Sequence, residues 1–243
     1  MRKSIFFILT VLSAALSAQV DTIGIQSRLD LDMLDTGLKK YVVYMENVQS
    51  NQLLGLAIWE RETTKRIVEG KGKIYVKQRW KSQDSSWRKE LHSINDGTTF
   101  LPEYHFTSSD NGIEAFGFTK SDIVGLDSVK NNSRKDFYLK LELPTYNWEL
   151  DMEILETLMY DVNKAYVIQF YHPGSKTPPK YHEYKVIGDE GVAVLGSSHD
   201  CWKVQIEYSN INNAVFWISK SSNQILRMEE IYGPIKRYKY RIF

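Results

Sequence analysis

The sequence predicts an all-β, mainly antiparallel fold carrying one amphipathic helix, and three observations predict it. Apolar and polar residues alternate with a period of two along most of the chain, as in Phe137, Leu139, Leu141 and Leu143 set against Tyr138, Lys140 and Glu142. Turn-forming tracts such as SQDSS, NDGTT, SSDNG and KNNSRKD punctuate those runs at short intervals. One segment alone switches to three- and four-residue steps.

The first element is a leader. Arg2 and Lys3 precede an apolar run from Ile5 to Leu12, and small residues follow at Ala14, Ala15, Ser17 and Ala18. This is the pattern of a secretory signal peptide over residues 1–18, cleaved after Ala18. The run is shorter than the ~20 residues that span a bilayer, and no later segment is long and apolar enough to do so. The expected product is exported, periplasmic or secreted, with residues 19–243 forming one β-sheet domain. Removing Arg2 and Lys3 turns 31 bases against 30 acids into 29 against 30, a balance that offers no footprint for nucleic acid. A single cysteine leaves no internal disulfide, so burial and hydrogen bonding must hold the fold.

Residues 19–40 read as a mobile lead-in. Strands are expected at 40–46, 52–61, 65–69, 72–80, 86–94, 101–107, 113–118, 123–129 and 136–143. After Pro144, Trp148, Met152, Leu155, Leu158, Met159 and Val162 form an apolar stripe, which predicts a helix over 147–162 with Asn147 or Asp151 as its N-cap. Glu149, Asp151, Glu153, Glu156 and Asp161 fill the rest, and the first four are expected in solvent rather than as a glycosidase-like acid pair. Strands resume with AYVIQFY, YHEYKVIG and GVAVLG, then CWKVQIEY, AVFWIS, ILRMEEI and KRYKYRIF joined by hairpins. In the last of these, cations alternate with Tyr238, Tyr240 and Ile242, which reads as a half-exposed strand in preference to an anion-binding patch.

Motifs for chemistry are sparse. Cys201 follows His199 and Asp200, and on a strand it shares the wetter face with Lys203, Gln205 and Glu207. A thiol nucleophile needs a stabilised thiolate and a glycine-lined elbow, and the elbow is missing, so Cys201 is expected to be a structural cysteine at a strand rim. His182 and Glu183 lack the HExxH spacing, and a zinc site composed of His172, His182, His199 and Cys201 would have no close-spaced ligand pair. The chain has no GxSxG, GxGxxG or P-loop motif. The expectation is therefore no catalytic set, no metal and no cofactor.

The sequence Leu101-Pro102 opening a strand, a proline followed by a helix, a strand ending in FYHPG, and then DCWKV, FWISK and ILRMEE resembles exported bacterial proteins related to the periplasmic lipoprotein-carrier (LolA-like) half-barrels, over residues 101 to 240. The resemblance implies a strongly curved sheet, an open half-barrel with the helix on its concave side, and it brings no catalytic residues with it. The residues agree with an added layer: Leu53 to Trp59, Ala165 to Tyr171 and Ala214 to Ile218 are apolar on both faces and need covering. If the sheet encloses a cavity, Trp59, Phe116, Phe170, Phe216 and Trp217, with Trp148 and Leu155 of the helix, are its expected lining. Three functions follow: a non-catalytic envelope carrier for a lipid or acyl chain, an envelope assembly protein docking a partner protein through its sheet edges, or a thiol-dependent hydrolase at Cys201.

Overall fold

The computed structural model describes residues 19–24 and 29–243, so the signal-peptide expectation over 1–18 lies outside the described residues. The chain runs β1 (Gln19–Ile23), β2 (Gly37–Asn47), β3 (Leu53–Val68), β4 (Lys71–Lys81), β5 (Lys89–Asp96), β6 (Pro102–Ser109), β7 (Gly112–Phe118), β8 (Asp122–Gly125), β9 (Tyr138–Lys140) and β10 (Tyr146–Asn147). A short helix, α1 (Asp151–Leu155), then leads to β11 (Lys164–Tyr171), β12 (Lys180–Val194), β13 (Ser197–Ser209), β14 (Asn212–Ser219), β15 (Ile225–Tyr232) and β16 (Ile235–Arg241).

All sixteen strands of the described residues belong to one sheet built from two meanders, β2 to β9 and β11 to β16. The meanders join where β16 pairs antiparallel with β2, placing Tyr240 opposite Val42 and Ile235 opposite Asn47. At one edge β1 and β10 lie parallel to β11, and β9 forms the other edge. The sheet stays open as a half-barrel and wraps the segment that carries α1.

Parity explains which residues turn inward. Tyr41 and Val43 of β2, Ala57 and Trp59 of β3, and Ile74 and Val76 of β4 are buried while their neighbours are wetter. On the second meander Phe170, Tyr184 and Phe216 pack ring against ring at 6.3 and 6.2 Å, and they meet Leu150, Ile154 and Leu155 in one core. Each such side chain, fully buried, contributes roughly 1.5–3 kcal/mol. A smaller cluster of Val192, Val194, Cys201, Trp217 and Leu226 forms on the opposite face, because Trp217 and Phe216 are adjacent on β14 and point to opposite sides.

Four expectations need correction. The tracts 52–61 and 65–69 form the single long strand β3. Residues 19–23 are an ordered strand against β11, and Leu29 and Leu34 are buried. The helix expected over 147–162 is a 3-10 turn, Trp148–Leu150, followed by only five α-helical residues. Its continuation is blocked because the carbonyls it needs are taken by side chains. Tyr160 donates its hydroxyl to Leu155 O at 2.7 Å, and Asn223 Nδ2 donates to Glu156 O at 2.7 Å and Leu158 O at 2.9 Å. Met159 and Val162, placed by periodicity on the packing stripe, are instead 66% and 62% exposed. Finally, Asp151, Glu153 and Glu156 are buried where solvent was expected.

Candidate functional site

The buried acids show how the helical segment is seated. Asn147 Oδ1 accepts the Glu149 N–H at 3.0 Å and starts the first turn, so that Glu149, Glu153 and Glu156 fall on one side at helical spacing. Residues three apart on a helix lie ~5–6 Å apart, close to the ~4.8 Å between neighbouring strands. Lys39 of β2 and Arg61 of β3 are direct cross-strand partners, and they meet Glu156 and Glu153 respectively. Arg61 binds Glu153 through both Nε, at 2.9 Å, and Nη2, and it also donates to Glu149 O at 3.2 Å. Lys89 of β5 takes the Glu149 carboxylate at 2.7 Å. Burial alone would raise that carboxyl, but the Lys89 ammonium and its hydrogen bond outweigh it and hold Glu149 at about 2. Burial pushes Glu156 up despite Lys39.

Beyond these pins the concave face opens into a cleft of about 690 Å³. Trp59, Trp80, Trp148 and Tyr208 wall it, and Arg61, Lys239, Asp151 and Arg237 reach it. Trp59 stacks on Trp80 at 4.7 Å, holds Gln78 Oε1 through its indole N–H at 3.2 Å, and lies beneath Arg61 and Lys239, each 4.4 Å from its ring. Trp87 closes one side by lying on Gly55, where an added Cβ would come within 1.9 Å of the indole. A second cavity of about 430 Å³ adjoins the first across Trp148, Tyr208 and Arg237, and its further walls are Met45, His182, Tyr232 and Ile235.

Trp148 is held between two histidines, with His172 and His182 each 4.6 Å from its ring. Burial lowers both imidazoles, His182 to about 4, so they serve as neutral packing surfaces near pH 7. His105, on β6, contacts Asn147 Nδ2 at 2.9 Å through Nδ1 and is likewise pulled down to about 4 by burial.

Of the residues named from sequence as lining, Trp59 and Trp148 face the cleft. Leu155, Phe170 and Phe216 pack inside the main core, and Phe116 sits in a separate cluster with Phe118, Ile123 and Tyr171. Trp217 is on the outer face. Cys201 lies beside Trp217, fully buried where a wetter rim was expected, because the outer cluster folds over it. Burial raises its thiol to about 11, with Asp200 and Glu190 adding, which is opposite to the shift that activates a nucleophile. His172 and His182 meet at Trp148 while Cys201 belongs to the other face, and among the described residues no group of three His, Cys, Asp or Glu is placed to hold a metal ion.

On β16 the alternation expected for a half-exposed strand sets the tyrosines and the cations on opposite faces. Tyr238 and Tyr240 stack with Tyr44 on the outside, at 4.5 and 6.2 Å, while Arg237 and Lys239 point into the cleft. A signal for this was present: Lys39 shares parity with Tyr41 and Val43, and Arg61 with Ala57 and Trp59, so cations at core parity recur on neighbouring strands.

The chain belongs to the DUF3108 family, described as proteins of unknown function, which matches residues 40–239. No curated protein matches it. Among solved structures it is similar to a β-barrel-like DUF1849 protein from Brucella abortus, at 12% identity and a TM-score of 0.48 over 86% of this chain and 97% of that one. It is also similar to a DUF1329 family protein from Desulfovibrio piger, at 9% identity and a TM-score of 0.36 over 87% of this chain and 86% of that one. A Bacteroides fragilis protein with a YmcC-like fold gives 10% identity and a TM-score of 0.34 over 85% and 94%.

Proposed function

We propose that this DUF3108 chain is a non-catalytic binding or carrier protein of the cell envelope, exported by its leader, which shelters the apolar body of a lipid or acyl chain in the concave cleft. The same reading sets it beside the lipoprotein-carrier half-barrels that its C-terminal half resembles. The observation that carries the proposal is the pair of adjoining cavities between helix and sheet, walled by Trp59, Trp80, Trp148 and Tyr208 and within the size range of small-molecule sites. Aromatic walls offer large apolar area at little entropic cost, and the ion pairs that pin α1 keep the concave face from collapsing onto itself. No helix among the described residues is long and apolar enough to cross a membrane.

Organic extraction of the purified mature protein followed by mass spectrometry tests this. Stoichiometric co-purifying lipid, lost in a Trp148→Ala variant that still folds, is the expected result. A protein that carries no lipid and quenches no tryptophan fluorescence when titrated with a long-chain probe would overturn the proposal.

A further inference from the structure

We infer that the ligand of this cleft is an amphiphile with an anionic head, and that Lys239 of β16 receives the head. The inference rests on the apolar-ligand reading above and adds the class of ligand to it.

Three cations at the wall of the larger cavity already have carboxylate partners: Arg61 has Glu153, Lys89 has Glu149 and Arg237 has Glu230. Lys239 has none. It is 6% exposed, its ammonium lies 4.4 Å from the Trp59 ring, and no carboxylate of the described residues comes within ion-pair distance of it. An indole face attracts a cation but accepts none of its three N–H bonds in the way an oxygen does. The ammonium opens on the cleft with no carboxylate beside it, so its N–H groups are available to the oxygens of an incoming anion.

The charged groups around Lys239 are Arg237, Asp151, Glu230 and Arg61. Glu230 and Arg61 are committed to their pairs. Asp151 accepts the Met152 N–H at 2.7 Å, and burial pushes its carboxyl up, which weakens it as a rival to an anion. Arg237, two residues from Lys239 on the same face of β16, keeps a buried Nε with no hydrogen-bond partner. Donors thus exceed acceptors at this end, which suits a head with several oxygens. The adjoining cavity, with Met45, Tyr232 and Ile235 in its walls, lies where an attached chain would continue. Carboxylate and phosphate monoester heads share this chemistry.

The purified mature protein is titrated with dodecanoate, dodecyl phosphate and dodecanol, followed by tryptophan fluorescence at pH 7. At least one of the two anionic probes is expected to bind tenfold or more tightly than dodecanol, and the one with the larger preference identifies the head. Lys239→Met is expected to abolish the preference, bringing the affinity for the anionic probe down to that for dodecanol. In the wild type, amine labelling read by mass spectrometry should show Lys239 protected by the preferred anion and not by dodecanol, a readout independent of whether the variant folds. Equal affinities for all three probes, or equal labelling, would overturn the head assignment and leave the carrier reading standing. Binding of none of the three would overturn both.

Discussion

At one end of the concave face Lys39 and Arg61 are each matched to a glutamate of the helical segment, while at the other Lys239, equally buried, faces the Trp59 ring and a cleft. All three cations sit at core parity on three adjacent strands, β3, β2 and β16. What separates them is reach: the acids at 153 and 156 lie over β3 and β2, and the segment supplies no paired acid for β16. Matched cations fasten the segment, and the unmatched one marks where the fold leaves binding capacity unspent.

The sharpest way to break this comparison is to remove a partner at each end. Glu153→Gln leaves the Arg61 charge buried without compensation and is expected to lower unfolding stability by ~3–5 kcal/mol, read from the urea midpoint, with Arg61→Met/Glu153→Leu recovering most of the loss. Lys239→Met strands no partner and should leave the midpoint unchanged or raise it. Equal losses at the two ends would erase the distinction.

A smaller effect sharpens it through pH. His105 anchors Asn147 at the start of the helical segment, and burial pulls its ring from 6.5 to about 4. The unfolded chain therefore takes up this proton first as pH falls. The contribution to stability is complete above about pH 6.5 and is lost progressively toward pH 4, amounting to ~2 kcal/mol between pH 7 and pH 5. Denaturant midpoints at the two pH values should show at least that slope in the wild type, since His182 adds in the same direction, and a slope smaller by about that amount in His105→Gln.

The smallest effect concerns the part of the segment beyond α1. Met159 is exposed, so Met159→Gln should shift the thermal midpoint by no more than ~0.5 kcal/mol is worth, whereas a residue on a packing stripe would cost several times that.

Strand period and turn tracts made the antiparallel sheet legible, because alternation reports the pleat directly at every residue. The helix was legible as to place but not length. Its end is set by Tyr160 and Asn223, and Asn223, from a turn 65 residues beyond Leu158, is invisible to a local pattern. The acids of the segment looked solvated for the same reason, since their partners at 39, 61 and 89 lie on other strands. Of the expected lining residues Trp59 and Trp148 border the cleft, and so do Trp80, Trp87, Tyr208 and Lys239, which no local pattern singles out. Period two says that neighbours on β16 point opposite ways; it does not say which set points in, and only the neighbouring strands show that the cations do.

The seam between β16 and β2 has a consequence for how the molecule is assembled. It brings together segments from opposite ends of the polypeptide in the middle of the sheet, with Arg237 opposite Met45 and Lys239 opposite Val43. Pairings of such sequence separation must overcome loop-closure entropy before they give any return, so this step is expected late in folding. Until it happens each meander presents a raw flank, β2 on one and β16 on the other, open to wrong pairing. Trp59 and Lys239 come from opposite sides of that join, so a nascent chain acquires its cleft only at the final stitch.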